Sequence, residues 1–205
     1  MMELRDALAQ IAEIRQQVAR TEVFRGYRAL PVALSGLLAF ATAGLQTIWL
    51  LDVKQNSFVY LTTWIGVAGL SVGATGWEMA WRLRLSSSVL ERERSIQAIG
   101  QFLPSLIAGA LLLLVLARFA PACLWMLPGL WSMFFGLGIF ASSRFLPPAI
   151  LWIGVFYLAA GLICLAVAQG EAALSPWAMG LPFGVGQLLT ASVLYWNLER
   201  IDEQE

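Results

Sequence analysis

Residues 146–168 read LPPAILWIGVFYLAAGLICLAVA, twenty-three positions in a row without one charged side chain. A bilayer core of about 30 Å takes roughly 20 residues of apolar helix. Lipid offers no partner to a backbone N–H or C=O, so a segment of this kind must be helical to satisfy itself. Working outward from it, five more stretches meet the same test. The expected spans cover about 30–51, 58–81, 102–120, 122–143, 146–168 and 176–198. The fold class is therefore all-α integral membrane, with six transmembrane helices over a domain of residues 29–199.

Composition agrees. Hydrophobic residues make up 59% of the chain and charged residues 13%, against about 45–50% and 25% in soluble domains. Net charge is zero, which leaves no basic face for nucleic acid. The chain has no histidine and only two cysteines, Cys123 and Cys164, so the commonest general base and the commonest metal ligands are missing. No paired carboxylates, nucleophile–base pair or glycine-rich phosphate loop appears. The expectation is a protein with no catalytic residues, metal or cofactor, and the two thiols are expected to stay reduced and independent.

The connections between spans are short. Residues 52–57 contain Asp52, Lys54 and Asn56, Ala120-Pro121-Ala122 joins spans three and four, Ser143-Arg144 joins four and five, and 169–175 include Gly170 and Glu171. Residues 82–101, with Glu91-Arg92-Glu93-Arg94, read as a helical extension of span two followed by a turn. Basic residues give the orientation. Arg5, Arg15, Arg20, Arg25, Arg28, Arg82, Arg84, Arg92, Arg94, Arg144 and Arg200 fall on one side, and only Lys54 and Arg118 of the 13 fall on the other. By the positive-inside rule both termini are cytoplasmic, and the expected location is a bacterial inner (plasma) membrane, crossed several times. Residues 1–28 carry four acidic side chains and no apolar core of a cleavable signal, so the first span acts as an uncleaved anchor. Trp49, Trp64, Trp125 and Trp177 fit an outer aromatic belt, with Trp77, Trp81 and Trp196 at the inner one.

A repeat is visible at low resolution. Arg28-Ala-Leu-Pro31, Gln101-Phe-Leu-Pro104 and Arg144-Phe-Leu-Pro147 each open an odd-numbered span. Leu70-Ser-Val-Gly73, Phe135-Gly-Leu-Gly138 and Phe183-Gly-Val-Gly186 lie in the even ones. The pattern reads as three helical hairpins in parallel orientation. The competing account is that proline suits the first turn of any helix.

Ahead of the spans, Leu4, Ala7, Ile11, Ile14 and Val18 recur at three- and four-residue steps, the stripe of an amphipathic cytoplasmic helix within residues 1–28. It can lie on the membrane, pack on the bundle, or pair with a protein partner or a second copy. Phe24-Arg-Gly-Tyr-Arg28 anchors it at the headgroups, and residues 200–205 form an acidic cytoplasmic tail. Inside the spans, Glu78 sits four residues before Arg82, the spacing of a helix ion pair. Thr42, Thr47, Thr62, Thr63, Ser71, Thr75, Ser132 and Thr190 are expected to hydrogen-bond between helices. Gln46 and Gln187 are the costliest residues to leave facing lipid, so both should face the interior. Gly66, Gly69, Gly73 and Gly76 form a small-residue face on span two, with Gly180 and Gly184 repeating the spacing in span six, and such faces suit close packing within the chain or across a homodimer. Pro128 and Pro182 should kink spans four and six.

These features favour a non-enzymatic anchor, sensor or complex subunit, in contact with membrane lipid, whose N-terminal helix engages a partner. The alternative is a small transporter or channel for a neutral or lipophilic solute, alone or as a homodimer, with Gln46, Glu78 and Gln187 along its path.

Overall fold

The computed structural model describes residues 29–49, 57–85, 89–168 and 172–199. The expected N-terminal helix with Leu4, Ala7, Ile11, Ile14 and Val18, the Arg25–Arg28 anchor and the acidic tail 200–205 lie outside these residues. Among the described residues there are helices and turns and no strand. Six helices are long and apolar enough to cross a membrane, the pattern of a multi-pass membrane protein. They are α1 (Ala29–Trp49), α2 (Ser57–Leu85), α3 (Val89–Phe119), α4 (Leu127–Ser142), α5 (Ile150–Val167) and α6 (Pro176–Leu194).

Their lengths differ for local reasons. At about 1.5 Å per residue, the 29 residues of α2 and the 31 of α3 reach well past a 30 Å apolar layer. α4 has only 16 residues, but a tight 3-10 stretch (Pro121–Met126) leads into it and brings the apolar segment to the length of a span. A second such turn (Ser143–Phe145) and Pro147-Pro148 join α4 to α5, and one wide turn (Tyr195–Glu199) extends α6. Two expectations change here. Residues 89–101 belong to α3 and do not extend α2, because a run of Glu, Arg and Gln forms good helix with no apolar periodicity to announce it. Pro128 opens α4 at its first turn, where proline costs no hydrogen bond, so of the two prolines expected to kink their spans Pro182 alone stands inside its helix.

Glycine decides which helices meet. In the antiparallel pair α1·α6, Gly180 accepts the Ala43 side chain, Gly184 lies under the Phe40 ring, and a Cβ at Gly36 would stand 3.0 Å from the Gly184 carbonyl oxygen. In α4·α5 a Cβ at Gly161 would stand 2.6 Å from the Gly129 oxygen, and one at Gly136 2.9 Å from the Gly154 oxygen. Only a missing Cβ allows such approaches. α5 then meets α6 where the Tyr157 ring covers Gly186. Tyr157, Phe135 and Phe183 form an aromatic centre with ring centroids 4.8–5.6 Å apart. α3 lies against α4 through the Trp131 indole, which donates to the Gly109 carbonyl at 3.0 Å, and through Phe102 on Gly138.

The expected hairpin partners are neighbours, yet the closest seams, α1·α6 and α4·α5, join different hairpins. Pro31 lies in the first turn of α1 and Pro147 just ahead of α5, whereas Pro104 is inside α3. The proline motif thus marks a different level in α3, because α3 begins thirteen residues ahead of Phe102.

Candidate functional site: a polar cluster at the far end of the bundle

Along the bundle, Ala29, the α2 and α3 ends at Leu85 and Val89, and Tyr195 fall at one end, here the N-side, and Trp49, Ser57 and Pro176 at the far end. Ala39, Thr42, Ala43 and Gln46 fall on one face of α1 at helical spacing, and all four are buried. Ala39 and Ala43 pack with Tyr60, Leu61 and Trp64 of α2, Leu127 of α4 and Met179 of α6. Gln46 stands one turn beyond Ala43 on that face, 3% exposed, and neither its Oε1 nor its Nε2 has a hydrogen-bond partner. The Trp64 indole nitrogen is buried without a partner as well. Each such group costs about 1–3 kcal/mol.

A set of serine and threonine hydroxyls in the helices is satisfied locally. Thr47, Thr62, Thr63, Thr75 and Thr190, with Ser132 and Ser142, bond to carbonyls one turn back in their own helices, at 2.7–3.0 Å. For Thr47, Thr62, Thr63, Thr75, Ser132 and Thr190 this corrects the expected interhelical bonding: a hydroxyl on a short stem reaches its own i−4 carbonyl first. A glutamine amide at the end of a longer stem has no such local partner.

Around Gln46 and Trp64 the far end gathers further uncharged polar atoms. The Tyr60 hydroxyl donates to the Ser175 carbonyl, just before α6, at 3.2 Å. The Cys164 thiol of α5 is 3.9 Å from the Ala178 carbonyl of α6. The Tyr60 and Trp64 rings are tilted at 55° with centroids 6.3 Å apart. Four helices thus contribute to one region that offers hydrogen bonds and no formal charge.

The remaining candidates lie elsewhere. The Gln187 Cβ faces Gly36 across the α1·α6 seam, 3.1 Å from where a Cβ there would stand. Gly36 is ten residues from Gln46, about 15 Å along α1, so the two glutamines occupy different levels. Glu78 is half-buried and engaged by a neighbour. It lies fourteen residues past Trp64, about 21 Å along α2. The expected ion pair falls on Arg82, whose side chain is outside the described residues. The three polar candidates therefore do not meet in one place. Gly66, Gly69, Gly73 and Gly76 of α2 would each find nothing within 4 Å of an added Cβ, unlike Gly180 and Gly184, which are packed against α1.

Trp64 does not belong to an outer belt: it is 2% exposed, inside the bundle, whereas Trp77, Trp81 and Trp196 are largely exposed. Its spacing from Tyr60, four residues on, was the one available hint that both share an inward face. Cys123 and Cys164 are free thiols. Among the described residues no group of three His, Cys, Asp or Glu side chains is placed to hold a metal. Comparison with protein-family models, curated proteins and solved structures finds no match.

Proposed function

We propose that this chain is a non-enzymatic component of a bacterial inner membrane, an anchor, sensor or complex subunit that engages a protein partner on the cytoplasmic side. The N-side is the cytoplasmic one in this reading, since it holds eleven of the 13 basic residues. The observation that carries the proposal is the overhang of α2 and α3. Their apolar windows end at Trp81 and begin at Ile96, yet the helices continue to Leu85 and start at Val89. These extra turns carry Arg82, Arg84, Glu91, Arg92, Glu93 and Arg94 on the side where residues 1–28 precede α1. A charged helical projection and an apolar stripe on one side of a membrane suit a protein contact. The open Gly66/Gly69/Gly73 face of α2 supports a second contact, with a partner's helix or a second copy within the bilayer.

Purification from native membranes in mild detergent tests this. The full chain should bring down a second protein in fixed stoichiometry, and deleting residues 1–20 should release it while insertion continues. A lone homo-oligomer, or binding that survives the deletion, contradicts the proposal. The unpartnered Gln46 amide favours a second reading, a small transporter or channel for a neutral or lipophilic solute. In that reading, passive flux of such a solute into liposomes should rise with the protein and fall in Gln46→Met.

A further inference from the structure

We propose that Gln46 and Trp64 form the polar end of a binding site for a small uncharged molecule bearing a hydrogen-bond acceptor beside a donor, a carboxamide being the simplest such group. Gln46 has both amide atoms free of partners, and the Trp64 indole N–H is free as well; both residues are buried to 3% exposure or less. They border the same packed cluster, Trp64 within it and Gln46 one turn beyond its Ala43. A planar amide presents an acceptor and a donor side by side, so a complementary carboxamide closes two parallel hydrogen bonds with it. The indole N–H adds a third, to the remaining lone pair of the ligand carbonyl.

Charge and shape narrow the class further. The assigned polar groups are an amide, an indole, a phenol and a thiol, so a charged ligand would be buried without a counter-charge. The tilted Tyr60 and Trp64 rings supply an apolar wall for the rest of a small molecule. The Tyr60 bond to the Ser175 carbonyl ties α2 to the start of α6, which places the site at the far end of the bundle, away from the N-side overhang. The inference stands apart from the partner reading, and either can fail without the other.

The test uses the full chain in lipid nanodiscs, labelled with 5-fluorotryptophan, with acetamide as the probe. Of the nine tryptophan resonances, the one missing in Trp64→Phe identifies Trp64. Acetamide should shift that resonance saturably and leave the other eight on a shallow linear drift. N,N-dimethylacetamide, which lacks the N–H donor, should bind at least tenfold more weakly. Gln46→Met should abolish the saturable shift, and Gln187→Met should preserve it. Absence of saturation at Trp64, equal binding of the two amides, or a shift unchanged by Gln46→Met would overturn the proposal. The comparison of the two amides needs no Gln46 variant, so it decides the matter even if Gln46→Met folds poorly.

Discussion

A buried glutamine amide brings two donors and an acceptor into a region where each unmet group is a cost. At Gln46 none is met within the protein, so replacing it with methionine, similar in length and apolar, should stabilise the unliganded chain. The expected gain is about 1–3 kcal/mol, which corresponds to roughly 2–4 °C of melting temperature per kcal/mol at this size. Thermal unfolding in detergent free of amides measures it, and a fall in melting temperature would show that Gln46 has a structural partner. Tyr157 offers a parallel case at the centre. Its ring is fully buried between Phe135 and Phe183 while its hydroxyl is buried without a partner. Tyr157→Phe should therefore be neutral or stabilising, whereas Tyr60→Phe, which loses the bond to Ser175, should cost about 1 kcal/mol. At this scale the sequence marked Gln46, because an amide in an apolar run is conspicuous. It hid Trp64, because a tryptophan seven residues into an apolar helix looks the same in a belt and in a core. Only the packing of α2 on α1 separates the two.

Glycine takes opposite roles in different helices. A Cβ at Gly161 would press on the Gly129 carbonyl at 2.6 Å, backbone that has no rotamer to give way. Gly161→Ala should cost about 1–3 kcal/mol by overpacking the α4·α5 seam. Gly73→Ala meets nothing within 4 Å and should leave the isolated chain unchanged, or up to about 1 kcal/mol more stable through helix propensity. Melting temperatures of the two variants, taken side by side, check the contrast. Similar losses in both would mean that α2 is packed against something in the purified protein. The spans themselves were legible because twenty apolar residues have few other uses. The boundary between α2 and α3 was not, since Glu91 to Arg94 give helix without a hydrophobic stripe. Pro104 misled for a related reason: proline commonly opens a helix, but a helix interior in lipid tolerates it where neighbouring groups take up the freed carbonyl.

Across the whole molecule, the arginines speak to orientation and the apolar runs to the number of crossings. Neither says that the first helix packs on the last, or that α4·α5 forms the other close seam. Those contacts depend on which glycine faces which carbonyl, and glycine is spread through all six helices. The α2·α3 overhang is likewise a difference of helix lengths, visible only once both helices have ends. Everything proposed for partner and ligand rests on six crossings with both termini on the basic-rich side. Single cysteines placed in a Cys123→Ser, Cys164→Ser background test that directly, with a membrane-impermeant maleimide applied to intact cells. Lys54→Cys and Ala173→Cys should label from outside, while Gln10→Cys, Ser87→Cys and Glu203→Cys should label only after the membrane is permeabilised. Labelling of position 10, 87 or 203 in intact cells, or protection of both 54 and 173, would contradict the account.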